Sequence, residues 1–176
     1  MMAPWPNHQN GPINGAGERQ HSDPAVGNSV AEIGFYHLVR TGVADALPPL
    51  LGKTLAAGQR ALVCAHDREL LEALDNRLWL CENPDWLPHG MAGGAFAADQ
   101  PILLSCSDSA ENGARFLFLL DGMEVDAQRF ERVFDLFDGK DEQAVSAARI
   151  RWSRAKSSGH SLIYWQQGER GWIRAG

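Results

Sequence analysis

Residues 60–78 read RALVCAHDRELLEALDNRL, and the change of period inside this stretch decides the fold. Arg60 to Ala65 is a short apolar run without polar alternation, the pattern of a strand covered on both faces. Asp67 then offers a side-chain acceptor at the position of a helix N-cap. Leu70, Leu71, Leu74 and Leu78 follow on one stripe of an amphipathic helix. A buried strand feeding such a helix leads to a crossover connection and a parallel neighbour.

The rest of the chain repeats this unit. Upstream, Ile33 to Leu38 (IGFYHL) is a β-rich run. Leu47, Leu50, Leu51 and Leu55 come next at helical spacing, with Pro48 and Pro49 expected to kink or start that helix and Gly58 to cap it. A Pro/Gly-rich connection is expected from Glu82 to Gln100. Beyond it, Pro101 to Ser105 (PILLS) and Arg115 to Leu120 (RFLFLL) read as two more buried strands. Phe130, Val133, Phe134 and Phe137 predict another amphipathic helix, ending near Asp138-Gly139. A last long helix is predicted from about Glu142 to Ser158, stopped by Gly159, and Leu162 to Gln166 (LIYWQ) reads as a closing strand. Strands alternating with helices predict a three-layer α/β/α sandwich with a largely parallel sheet. Residues 1–29 carry four prolines and four glycines with no period of 2 or 3.6. They are expected to form a disordered N-terminal extension, which leaves residues 30–176 as a single α/β domain.

Several classes of function fall away. The longest apolar runs reach five residues, against the roughly 20 needed to span a bilayer. No basic segment followed by an apolar stretch opens the chain, so no secretory signal is expected. Three cysteines without CxxC spacing suggest neither a disulfide framework nor a zinc site, and a reducing cytoplasm fits them. Gly52-Lys53-Thr54 mimics the end of a phosphate-cradling loop, but position 47 is Leu where the wrapping glycine is needed, and the tripeptide falls inside a helix. Gly90 to Phe96 is glycine-rich without a dinucleotide fingerprint. His37, His66, His89 and His160 stand singly, at no metal-ligand spacing, and no GxSxG elbow occurs. The expectation is therefore no catalytic residue, no metal and no cofactor: a Rossmann-like architecture without a nucleotide site.

Charge is more informative. The whole chain carries −6, yet residues 144–176 hold six cations (Arg149, Arg151, Arg154, Lys156, Arg170, Arg174) against Glu169 alone, so the first 143 residues carry −11. On the predicted last helix, Arg149, Trp152, Ser153 and Lys156 fall at i, i+3, i+4 and i+7 and so share a stripe. A cationic stripe with an aromatic at its centre suits an acidic peptide with an apolar anchor, or a nucleic-acid backbone with one stacked base. A second constellation, Leu78-Trp79-Leu80 followed by Pro84-Asp85-Trp86-Leu87-Pro88-His89, suggests an aromatic patch of the kind enriched in protein interfaces.

Motifs in order along the chain carry a resemblance. They are Phe35-Tyr-His-Leu38, Leu78-Trp79 with Leu87-Pro88-His89-Gly90, Phe134-Asp-Leu-Phe-Asp138, Ala148-Arg-Ile-Arg-Trp152 and Gly159-His-Ser-Leu-Ile-Tyr-Trp165. Together they resemble the chi subunit of the bacterial DNA polymerase III holoenzyme, from about Ile33 to Trp172. The resemblance implies a non-catalytic accessory role in DNA replication. It implies binding of the acidic C-terminal tail of single-stranded-DNA-binding protein, which ends in a Phe with a free carboxylate, and of the psi subunit, which leads to the clamp loader. Arg149 would pair with the tail's carboxylates, Trp152 would sit beside it, and Phe137 would line the pocket for the terminal Phe. Ser153 stands where the family can carry Lys, with Lys156 or Arg154 expected to compensate. Trp79 and the Trp86-Leu87-Pro88 loop fall where the family contacts psi. A cytoplasmic, nucleoid-associated replisome component is the implied setting, with DNA met mostly through partners. The alternative reading is a direct single-stranded nucleic-acid-binding module using the basic C-terminal helix.

Overall fold

The computed structural model describes residues 30–82, 84 and 86–175; the expected N-terminal extension lies outside them. Eight strands form one sheet: β1 (Glu32–Leu38), β2 (Ala61–Cys64), β3 (His89–Met91), β4 (Ile102–Ser105), β5 (Phe116–Leu119), β6 (Arg132–Asp138), β7 (Ser161–Gly168) and β8 (Gly171–Arg174). Three helices join them: α1 (Val43–Ala56), α2 (Arg68–Trp79) and α3 (Glu142–Ser157). The sheet order is β3-β4-β2-β5-β6-β1-β7-β8. Every neighbouring pair is parallel except the β7–β8 hairpin.

The two faces of the sheet carry separate cores. Tyr36, Phe134, Leu136, Val63 and Phe118 meet Leu47 and Leu51 of α1 and Leu71, Leu74 and Leu78 of α2. On the opposite face Ile33, Phe35, Leu117, Val133 and Leu162 meet Val145, Ala148 and Trp152 of α3. The layers are therefore α1 and α2, sheet, then α3. The expected α/β/α sandwich with a largely parallel sheet is what forms.

Local chemistry explains the helix ends. The Asp67 side chain accepts a hydrogen bond from the Glu69 amide at 2.9 Å, and Asp141 does the same for Gln143 at 2.8 Å. Gly58, at φ +70° just past α1, lets the chain turn back on the last carbonyls. Pro48 and Pro49 neither start nor end α1; both lie inside it. Gly52-Lys53-Thr54 occupies its last turns as expected. Gly52 is required for another reason: a Cβ there would meet Pro84 Cγ at 2.6 Å.

One expectation is corrected. Phe130, Val133, Phe134 and Phe137 do not mark a helix, because residues 132–138 are the central strand β6, paired with β5 and β1. Val133 and Phe137 point to the α3 core, and Phe134 and Leu136 to the α1–α2 core. A parallel strand buried on both faces shows no alternation, so its apolar residues can match helical spacing by coincidence. Two short strands were also hidden. The Gly-rich connection contributes β3, and the C-terminal Gly-Trp-Ile-Arg adds the antiparallel edge β8.

Candidate protein-docking surfaces

Helix α3 lies across one face of the sheet, and its successive residues turn by roughly 100°. Val145, Ala148 and Trp152 form the inward line and are buried. Arg149, Ser153 and Lys156 therefore lie on one flank, and Ala144, Ala147, Arg151 and Arg154 on the other.

The expected stripe is thus split, and the role given to Trp152 is corrected. Its ring is only 4% exposed and packs edge-on against Phe35, with centroids 5.1 Å apart. It is sealed from a docked chain because it belongs to the inward line of α3 with Val145 and Ala148. The surface part of the stripe is Arg149, Ser153 and Lys156. Ser153 Oγ donates to the Arg149 carbonyl at 3.0 Å, one turn back in the same helix, and leaves the flank without the extra cation a lysine would bring.

Within reach of Arg149, the carboxyl ends of β1 and β6 and the middle of β7 bring together His37, Phe137 and Tyr164. His37 stacks on the Phe137 ring (centroids 4.9 Å, planes 14° apart), and its Nδ1 lies 2.5 Å from Tyr164 Oη. Phe137 is buried beneath the imidazole, so the expected apolar floor is reached through His37. Burial is the main reason that the His37 pKa lies below its ordinary value, and the positive charge of Arg149 pushes the same way. Gly139 has to be glycine here, since a Cβ would collide with the His37 ring and with the Leu38 carbonyl.

The other flank is chemically different. Arg151, which sequence reasoning did not single out, grips Asp135 of β6 through Nε–Oδ2 at 2.7 Å and Nη2–Oδ1 at 2.8 Å. Burial pushes the Asp135 carboxyl up, and Arg151 opposes that shift. Arg154 pairs with Glu124, which removes it as a ready substitute for a cation at Ser153. Arg151 lines two hollows. One, of about 250 Å³, runs over Phe35, Met123 and Val133 towards His160. The other, of about 520 Å³, is floored by Leu38, Leu120 and Phe137 and rimmed by Asp121, Asp138 and Asp141. That acidic rim does not suit an acidic peptide. Lys156 and Arg149 lie on the opposite flank, where Asp138 and Arg149 act on His37 in opposite directions.

The second surface lies at the far end of the sheet. Trp79 ends α2, and Trp86 follows in the loop to β3. They are 60% and 69% exposed, and Leu80 beside them is 75% exposed. The two indoles meet edge to face at 6.4 Å. Trp79 also leans on His89 at 4.7 Å, a buried ring whose nitrogens lie 2.6 Å from the Leu87 carbonyl and 3.1 Å from that of Asp75. Trp86 has φ +58°, a left-handed conformation that is costly for a bulky residue. Leu87 does not belong to the exposed patch: it is buried in the α1–α2 core and anchors the loop, with Pro88 half-buried behind it.

The family model of the DNA polymerase III chi subunit, HolC, matches residues 30–163. The match covers β1 to the first residues of β7, and with them α3 and the Trp79–Trp86 patch. The chain belongs to the DNA polymerase III chi subunit family. No curated protein gives a match to it. As a chi-family chain it is related to an accessory component of the DNA polymerase III machinery of replication. No helix among the described residues is long and apolar enough to cross a membrane. No group of three or more metal-ligating side chains is found among them. The distal end of β7 and all of β8 lie beyond the residues that the chi model matches.

Proposed function

We propose that this chain is a non-catalytic replication adaptor, located in the cytoplasm with the nucleoid-associated replisome. It grips the acidic C-terminal tail of single-stranded-DNA-binding protein on the Arg149 flank of α3. The observation that carries this reading is the separation of charge across that helix. Arg151 is held by Asp135 and Arg154 meets Glu124 on one flank, while on the other Arg149 acts electrostatically on His37 of the His37–Phe137–Tyr164 cluster. A tail carboxylate meets Arg149 there, with Lys156 two turns further along α3, and the terminal aromatic ring packs beside the stacked imidazole. Charge-assisted pairs of this kind contribute about 1.5–3 kcal/mol each.

Arg149→Ala is expected to weaken binding of a short acidic peptide ending in Phe by about tenfold or more, equivalent to about 1.4 kcal/mol. Calorimetry at low salt measures it, and added salt weakens it further. His37 supplies a second readout. A carboxylate bound at Arg149 offsets the cation and raises the His37 pKa, so peptide addition should move its imidazole resonances to titrate at higher pH. Unchanged affinity in Arg149→Ala, together with an unmoved His37 titration, would remove the site from this flank.

The Trp79–Leu80–Trp86 patch is the proposed seat of psi, and through it of the clamp loader. Two exposed indoles held edge to face, one of them on a strained backbone, gain burial only when a partner covers them. Trp79→Ala with Trp86→Ala is expected to abolish co-purification with psi and leave tail-peptide affinity unchanged. Loss of both together would instead indicate a general folding defect. The alternative, direct nucleic-acid binding by the C-terminal helix, loses its stacking ring because Trp152 is buried.

A further inference from the structure

The face of the sheet opposite α3 carries a cleft of about 490 Å³ between α1 and the β7–β8 hairpin. Its aromatic residues form a stack that crosses the strands. Phe118 of β5 lies on Phe134 of β6 (centroids 4.2 Å, planes 9° apart). Phe134 lies on Tyr36 of β1 (5.5 Å, 27°), and Tyr36 on Trp165 of β7 (6.2 Å, 19°). Trp172 of β8 closes the row edge-on to Tyr36 at 4.9 Å. Gly34 makes the row possible, since a Cβ there would meet Tyr36 Cε2 at 2.7 Å. Phe116, Trp165 and Trp172 are only half-buried, and all three line the cleft.

Three cations from three elements surround these rings: Lys53 on α1, Arg132 on β6 and Arg170 in the β7–β8 turn. Arg132 lies over the Phe134 ring at 5.1 Å and is partly neutralised by Glu32, with Nε–Oε1 at 2.9 Å. Lys53 and Arg170 are exposed and have no ion-pair partner among the described residues. The indole Nε1–H of Trp165 is buried without an acceptor among the same residues. Nothing in the adaptor function proposed above uses this cleft. Trp165, Arg170 and Trp172 also lie beyond the residues that the chi model matches.

We propose that this cleft binds single-stranded nucleic acid: a base packs against the half-exposed rings of Trp165 and Trp172 while Lys53 and Arg170 hold the flanking phosphates. Planar rings half-exposed beside unpaired cations are the combination that binds single strands without reading sequence. Two half-exposed indoles beside cations from separate elements favour a ligand that carries flat rings and phosphates together. The protein's overall charge of −6 keeps the contact weak and salt-dependent.

Fluorescence anisotropy of an end-labelled oligo-dT tests this on the full chain at low and moderate salt. The double variant Lys53→Glu/Arg170→Glu alters only exposed side chains, and thermal melting checks that it folds. It is expected to lower affinity at least tenfold and to reduce the log–log salt slope by roughly 1.4, the share of two phosphates on a single strand. Arg149→Ala, on the opposite face, is expected to leave oligo-dT binding unchanged. The proposal is overturned if unmodified protein fails to bind oligo-dT at low salt, or if the double variant binds it equally well. It is also overturned if the double variant loses the acidic Phe-ended peptide instead, which would make the cleft a peptide site. The adaptor reading fails separately, through Arg149→Ala.

Discussion

Trp152→Ala is expected to lower folding stability by about 3–5 kcal/mol, the usual cost of deleting a large buried aromatic. The ring fills the space between α3 and β1, edge-on to Phe35, in a core that also holds Ile33, Val133 and Leu162. No neighbouring side chain can collapse into that volume without moving the helix, so both the lost apolar burial and the cavity contribute. Urea denaturation followed by circular dichroism measures the effect. Trp152→Phe, which keeps most of the volume, should lose far less and retain peptide binding. The opposite pattern, an unmoved midpoint with abolished peptide affinity, would mean that the ring works at the surface.

Asp135→Ala carries the other large effect. The carboxylate sits on a central strand with 2% of its surface exposed and faces Arg151 in a bidentate pair. Removing one partner leaves a mostly buried guanidinium without its counter-charge, at a cost of about 3–5 kcal/mol. Replacing both partners by apolar residues, Asp135→Leu with Arg151→Met, should recover most of that loss, because two desolvation penalties disappear together. A double-mutant cycle on chemical denaturation gives the coupling. Additive losses in the double variant would show that the pair does not act as a unit. The pair also pins the Arg151 flank of α3 to β6, and this holds Arg149 within reach of His37 on β1.

These two residues show where sequence patterns mislead. Asp135 sits in the run read as an amphipathic helix, and no pattern of spacing announces a charge satisfied inside a two-sided strand. Its partner is sixteen residues away, so the pair exists only once α3 folds back over β6. Arg149 and Arg151 look equivalent in the sequence, two arginines around one isoleucine. On the helix they lie on opposite sides of the buried line, and one pairs with Asp135 while the other stays on the flank proposed for docking. Trp152 was legible as a member of a stripe, but a stripe has an inner edge and an outer edge. Only the sheet beneath the helix decides which edge is buried. The aromatic cleft left no signal, because its rings come from β5, β6, β1, β7 and β8, and adjacency between them is a property of strand order.

Local features were readable from the chain itself. The cap at Asp67, the turns at Gly58 and Gly159, and the paired strand and helix of residues 60–78 all depend on interactions within a few residues. Hydrogen bonds to the next turn and amphipathic periodicity act at that range, so one-dimensional order is enough to specify them. Strand order, the choice between Arg149 and Arg151, the burial of Trp152 and the gathering of five rings around Lys53 and Arg170 required the packed fold. Each depends on which distant segments share a face, and burial and charge pairing act between neighbours in space, whatever their separation along the chain.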